Sequence, residues 1–420
     1  MRQDPSGNGH GTVGRRAQAR SRAAARAVGT DRPRLTLADP ATDPPVRRRP
    51  GQRRRRGLSS YAWLLAIPAA ICSVVLVVFA TQSGPQPRLV AASLPYWNIG
   101  PGTEAVLANR NDVDEVSPWM YGLGSNGQII SDTGVNQTVM KTNLDRLRSA
   151  GLAIVPTLAN INAKGNWTYP VVARVLHSPA LAARQVSEIV TLAETNHYAG
   201  IDLDYENLQA GDRQVFTAFV TKLAAALHAK GKILSVALFA KTTNAGYAPR
   251  NVAQDYAAIG KVADQVRLMA YDYHWPTSPP GPIAPIGWVR DVIKYAKTQI
   301  PASKIVLGIP EYGYDWSGGH ATAIGWLQAL RLSRQYHVQS RYSASAQSPW
   351  FSYTVKGHKH VVWFENAESS QAKLDVAKGS GIGGVYLWMY GYVDPGSWSV
   401  LHKLLPVPSH SADPAQRGSS

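Results

Sequence analysis

Eight short apolar runs recur between residues 88 and 390, and helix-patterned segments separate most of them. The runs lie at 88–97, 115–123, 153–159, 200–206, 233–240, 265–273, 304–312 and 384–390. They are rich in Val, Ile, Leu and Tyr and almost unbroken by charge, the pattern of strands covered on both faces in a parallel sheet. Residues 137–150, 181–195, 212–230, 252–262, 288–299 and 369–378 carry helical spacing instead. In the clearest case Phe216, Phe219, Val220, Leu223 and Leu227 form one stripe, with Asp212 suited to start the helix and Gly231 to end it. Eight strands alternating with helices predict a (β/α)8 barrel. A doubly wound open sheet is the alternative, but no glycine-rich phosphate loop or dinucleotide fingerprint supports it. Residues 321–367 are too many for one crossover. They contain a helix-like piece (321–332) and two strand-like runs (350–355 and 360–364) around Gly357, so we expect an inserted α+β lobe.

The ends differ from this core. Residues 1–57 hold fifteen Arg and four Asp, a formal +11 of the chain's +17. The basic charge thus belongs mostly to an Arg-rich tail without apolar periodicity, and we expect that tail to be disordered. Nucleic-acid binding by the folded part gains no support from it. Residues 61–80 are twenty consecutive residues without a charge, long enough to cross the roughly 30 Å core of a bilayer as a helix. Arg53–Arg56 precede them, so the positive-inside bias predicts a cytoplasmic N-terminus and a domain outside the membrane. The expected layout is a tail (1–57), a transmembrane helix (58–81), a linker (82–87), a barrel (88–405) and a C-terminal tail (406–420). A cleavable signal ending near Ala80, giving a secreted protein, is the competing reading. The one cysteine, Cys72, falls in the span, so a disulfide cannot staple the outer domain. No Cys/His metal cluster is visible.

The chemistry concentrates at residues 198–207, YAGIDLDYEN. Asp202, Asp204 and Glu206 are spaced by two, so on a strand all three point the same way while Ile201, Leu203 and Tyr205 point the other. In a barrel the acids would face the axis. Crowded carboxylates push their pKa values apart, and one stays protonated at neutral pH as a potential general acid. Glu206, last on the strand, is best placed to reach a substrate at the barrel's C-terminal face. A calcium loop is the competing reading, but it needs a sharp Gly-bearing turn and further ligands.

This run resembles the D-x-x-D-x-D-x-E signature of glycoside hydrolase family 18. Asp202, Asp204 and Glu206 match its last three acids, Ala199 stands where the first would be, and Tyr205 replaces the usual Trp. Those departures resemble the branch of spore-cortex and peptidoglycan-lytic N-acetylglucosaminidases. Met269-Ala-Tyr-Asp272 resembles the family's M-x-Y-D, and residues 280–282 (PGP) with Trp288 and 308–316 (GIPEYGYDW) agree with the same branch. The resemblance implies a retaining reaction in which the substrate's own acetamido group is the nucleophile. It implies Glu206 as acid and then base, Asp204 as orienting acid, Tyr271 on the acetamido group, Asp272 nearby and Trp388 under the reacting sugar. No metal or organic cofactor is needed, and the partner is a polysaccharide of peptidoglycan or chitin type. A glycan-binding protein without activity is the competing function.

Tyr96, Trp97, Trp119, Trp275 and Trp316 lie near predicted strand ends and are candidates for stacking on sugars, with burial in the core as the competing reading for each. Glu311 reads as a surface salt-bridge acid. His197, His274 and His320 lack partners at metal spacing.

Overall fold

In the computed structural model residues 88–131, 136–245, 247–389 and 393–405 are described. The predicted tail, membrane span, linker and C-terminal tail lie outside them. Among the described residues no helix is long and apolar enough to cross a membrane.

Eight parallel strands form the centre: β1 (Leu89–Pro95), β2 (Glu115–Leu123), β3 (Ala153–Ile154 and Thr157–Ala159), β4 (Gly200–Asp204), β5 (Ile233–Phe239), β6 (Gln265–Met269), β7 (Ile305–Pro310) and β8 (Gly384–Trp388). Each pairs in parallel with its predecessor, and β1 pairs with both β2 and β8, closing the barrel. The alternation of side chains explains the acid-rich strand. Ile201, Leu203 and Tyr205 are fully buried on the helix side, where Tyr205 stacks on Phe216 and Phe219. Asp202 and Asp204 occupy the other face and point into the barrel, as predicted.

Several predicted strands run past the sheet, at residues 205–206, 270–273 and 311–312 among others. There the chain leaves the ladder and bends over the barrel mouth, and Asn207 and Asp272 take left-handed φ values of 57° and 54°. This is the rim where barrels of this kind place their chemistry.

Helices cover the outside. Those predicted at 137–150, 181–195, 212–230, 288–299 and 369–378 appear as Gln137–Ser149, Pro179–Thr195, Arg213–His228, Ile286–Ala296 and Ala367–Ser380. Arg213–His228 ends before Gly231, whose φ of 63° lets the chain reverse into β5. Asp212 starts this helix without capping it. Its carboxylate instead accepts the Gln209 N–H at 2.7 Å and lies 2.7 Å from the His177 ring. The segment 252–262 is not one helix: Pro249–Val252 stops, and Tyr256–Val262 restarts with Asp255 accepting the Ala258 N–H. Ile99–Ala108, Tyr169–His177 and Gly396–Leu404 are further helices that the spacing did not reveal.

The insertion is larger than its sequence suggested. Strands Gly313–Ser317, His320–Ile324, Arg341–Ser343, Ser348–Val355 and His358–Trp363 form one antiparallel sheet carrying helix Trp326–Gln335. The lobe therefore begins at Gly313, and residues 321–324 are strand, not helix. Gly318 and Gly319, both left-handed, form a turn that brings His320 opposite Ser317, so hairpin pairing overrides local helix preference. Ile324, Ala329, Phe351, Val362 and Phe364 give the lobe its own core. The hairpin expected at Gly357 is present.

Candidate active site

The barrel interior is polar at its lower end. Arg267 of β6, only 1% exposed, donates to Glu115 and, at 2.7 Å, to the Ser117 hydroxyl of β2. It also lies 3.2 Å from Asp202 of β4, which accepts from Thr157 of β3 at 2.8 Å. One guanidinium thus serves two buried carboxylates, the arrangement that makes such burial tolerable. Burial still pushes the Glu115 carboxyl up, against the pull of Arg267.

Farther up β4 no ion pair reaches the acids among the described residues. Asp204 is 7% exposed and receives only the Trp119 indole N–H, at 3.3 Å. Its Oδ1 has no hydrogen-bond partner among the described residues. Burial first, then the charge of Asp202, pushes its carboxyl up to about 7, with the indole and Arg267 pulling the other way. Two residues on, Glu206 is partly open to the mouth. Its backbone is clamped by Asn160 at the end of β3, which accepts the Glu206 N–H at 2.8 Å and donates to the Glu206 carbonyl at 2.9 Å. Its carboxyl is raised well above its ordinary value by burial and then by the Asp204 charge. Interacting carboxyls of this kind release their protons one after the other, which biases one acid at the mouth toward its protonated form.

Facing these acids are the residues after β6. Tyr271 shares a 2.7 Å hydroxyl contact with Tyr386 of β8 and lies parallel to the Trp388 ring at 6.5 Å. Gly308 of β7 makes this possible: a Cβ there would come within 2.7 Å of the Tyr271 ring and 3.0 Å of the Tyr386 ring. Asp272 accepts from the Tyr312 and Tyr314 hydroxyls. The protein around it raises its carboxyl, and those two hydroxyls lower it.

The aromatic wall continues from Trp388 to Trp119 at 6.4 Å, and from Trp119 to Trp97 at 5.7 Å, Tyr96 at 6.1 Å and Trp167 at 6.4 Å. Edge-to-face and parallel rings at these distances make a rigid apolar surface beside the acids. The structure thus brings together Asp204, Glu206, Tyr271, Asp272, Trp388, Trp119, Trp97 and Tyr96, with Tyr96 itself buried. Asp202 stays below, held by Arg267. Trp275 stands apart on the loop after β6, its indole N–H on Thr277 and its carbonyl taking the Trp316 N–H. Trp316, a stacking candidate by position, is buried with Ile283, Tyr312 and Tyr314. Glu311 is a correction: at 1% exposure it is no surface acid, but accepts at 3.1 Å from Ser370 of the helix Ala367–Ser380. The sequence reading missed Asn160, Trp167 and Tyr386. Asn160 could have been suspected as a polar residue closing an apolar strand. Among the described residues no group of three or more His, Cys, Asp or Glu side chains is arranged to hold a metal ion.

A closed parallel barrel with crowded carboxyls and aromatic rings at its C-terminal mouth has the form of a barrel enzyme acting on sugars. The model for glycosyl hydrolases family 18 matches residues 55–392, and the chain belongs to that family. It is 34% identical over 297 residues to the cortical fragment-lytic enzyme of Bacillus subtilis, covering 68% of each chain. The crystal structure of the spore cortex-lytic enzyme SleL of Bacillus cereus superposes with a TM-score of 0.71 at 27% identity, over 79% of this chain and 77% of that one. A chitinase from Chromobacterium violaceum gives 0.70 at 30% identity, over 76% of this chain and 99% of that one. The protein is thus a glycosidase related to cortex-lytic enzymes and chitinases.

Proposed function

We propose that the chain hydrolyses β-linked N-acetylglucosamine glycans of the peptidoglycan type by a retaining, substrate-assisted reaction. The observation that carries this reading is a pair of coupled acids with unequal access: Asp204 sealed beside Trp119, Glu206 open to the mouth. Glu206 donates its proton to the glycosidic oxygen as the C1–O bond breaks. The carbonyl oxygen of the sugar's own 2-acetamido group bonds to C1, giving an oxazolinium. The charged form of Asp204 orients the acetamido N–H and stabilises that cation, Tyr271 holds the carbonyl, and Asp272 assists beside it. Glu206 then takes a proton from water as the water attacks C1 and the oxazolinium C1–O bond breaks, which restores the acetamido group and leaves the configuration retained. Trp388 floors the reacting sugar; Trp119, Trp97 and Tyr96 extend the surface, and Trp275 extends it on the lobe side.

Peptidoglycan is favoured over chitin because relatives at 34% identity are named for lysis of spore-cortex fragments. The same preference suits an anchor at residues 61–80 with the barrel outside the cell, which we propose as the topology. Protease added to intact cells should then digest the barrel and spare the tail; protection of the whole chain would refute it.

The reaction is tested by incubating the protein with purified peptidoglycan and with chitin oligomers, and identifying the new reducing ends. N-acetylglucosamine ends, with competitive inhibition by a thiazoline analogue of that sugar, are expected. Capture of a covalent sugar on any protein carboxylate would exclude substrate assistance.

A further inference from the structure

Arg250 stands at the mouth without a job in the scheme above. It lies on the short helix Pro249–Val252, which follows β5 on the catalytic face. Its guanidinium carbon rests 4.4 Å from the centre of the Phe239 ring, and Phe239 is the last residue of β5. β5 pairs with β4 on one side and β6 on the other. The cation therefore sits between the strand that ends toward Glu206 and the strand that ends toward Asp272. Its charge is felt at both carboxyls. Yet among the described residues it forms no ion pair and no hydrogen bond. The contrast with neighbouring basic groups is sharp. Arg213 is paired with Asp255 at 2.8 Å, Lys241 donates to the Asn251 and Gln254 carbonyls, and Arg267 serves Glu115 and Asp202.

A guanidinium held over an aromatic ring is already restrained, so its N–H donors can meet an anion at low further entropic cost. Neither Glu206 nor Asp272 is within ion-pair distance of it, so among the described residues it has no committed anion. We propose that Arg250 is a specificity residue that binds a carboxylate borne by the glycan beside the bond being cut. This rests on the glycan-hydrolase reading above and narrows its substrate class. A chitin chain is neutral and offers Arg250 nothing to pair with. A wall glycan offers carboxylates from the lactyl ether of its muramic acid units or from the attached peptide. Both are the planar bidentate acceptors that a guanidinium matches.

The test compares kcat/KM on three glycans: a chitin oligomer, wall glycan stripped of peptide so that its lactyl carboxylates are free, and the same glycan with those carboxylates capped as amides. A peptide-bearing wall glycan forms a fourth arm. The wild type should prefer a carboxylate-bearing glycan over the chitin oligomer. Arg250→Gln should shrink that preference about tenfold to a hundredfold, the range of one charge-assisted pair. Arg250→Lys should restore part of it. Arg250 also lowers the Glu206 carboxyl, so its loss can change the rate on every substrate; only the ratio between glycans isolates recognition. Preference for the free lactyl form over the capped form assigns the carboxylate to the sugar. Preference confined to the peptide-bearing form assigns it to the peptide. An equal fall on all four glycans, or no wild-type preference, overturns the proposal. Failure of the wild type to cut any glycan would instead remove the hydrolase reading itself.

Discussion

The ends of β4 and β7 both carry a glutamate in protein-rich surroundings, and the two behave differently. Glu206 and Glu311 are both pushed up chiefly by burial, Glu311 to about 8. Glu206 is open to the mouth, its side chain free of hydrogen bonds to the described residues. Glu311 is sealed, bonded to Ser370, and its Oε2 has no hydrogen-bond partner among the described residues. Next to it Lys373, itself fully buried, holds Glu365 at 2.7 Å. A raised carboxyl therefore does not by itself mark a catalyst. Around β4 the unpaired acids face a cleft lined with rings. Around β7 the acid is closed against the helix Ala367–Ser380 and has only structure to serve.

That contrast breaks first at Glu206. Glu206→Gln keeps size and shape but cannot donate a proton, so turnover on natural glycan should fall about 10²–10⁴-fold. Folding and glycan affinity should survive, which a melting curve and a binding isotherm will show. Near-full activity would end its assignment as the acid. The next largest effect belongs to the other region. Lys373→Met strips Glu365 of its cation, and removing one partner of a buried pair costs about 3–5 kcal/mol. Urea unfolding at neutral pH should show a loss of that order. The loss should shrink in acid, where Glu365 can take up a proton.

A smaller effect tests the coupling of the acids. The Asp204 charge raises the Glu206 carboxyl. Asp204→Asn removes that charge, so Glu206 should lose its proton at lower pH. The alkaline limb of the rate profile should move down by about one unit, a shift typical of a neighbouring like charge, besides any fall in rate. An unmoved limb would mean that the limb reports another group.

Much of this molecule was legible before any coordinates. Period-two spacing alone put Asp202 and Asp204 on one face and Ile201 and Leu203 on the other, because strand geometry is local. Unbroken apolar runs placed all eight strands for the same reason. The failures have a common cause too. Ile99–Ala108 carries Gly100, Pro101 and Gly102, and its helix is fixed by packing beside β1 rather than by propensity. Glu115 and Arg267 are 152 residues apart and meet only because the barrel closes. Glu311 looked like a surface acid because nothing near it in sequence reveals Ser370, 59 residues on, whose helix seals it. Trp167 and Asn160 reach the mouth from a loop and a strand end, where periodicity carries no signal. Residues 1–87, which carry the predicted anchor, lie outside the described residues.

The finest test of the comparison is Glu311→Gln. In the unfolded chain this carboxyl titrates at its ordinary value of 4.5, and in the folded chain at about 8. The folded state binds the proton more tightly, so the contribution to stability is complete below about 4.5 and is lost as pH rises through about 8. Gln does not titrate, and it can keep the hydrogen bond from Ser370 through its carbonyl oxygen. At pH 5 the variant should melt close to the wild type. At pH 9 it should be the more stable of the two by a few kcal/mol, since only the wild type must then bury a charge or give up a proton bond. Titrations elsewhere, at Asp204 and Glu206 among others, are common to both proteins and cancel in the difference. Activity at pH 6 should stay within about twofold, because Glu311 meets the site only through its backbone N–H, which bonds to the Trp388 carbonyl at 2.7 Å and survives the exchange. If Glu311→Gln instead lowered turnover as far as Glu206→Gln, access to the cleft would no longer separate the two acids. The end of β7 would then have to be counted as part of the reacting site.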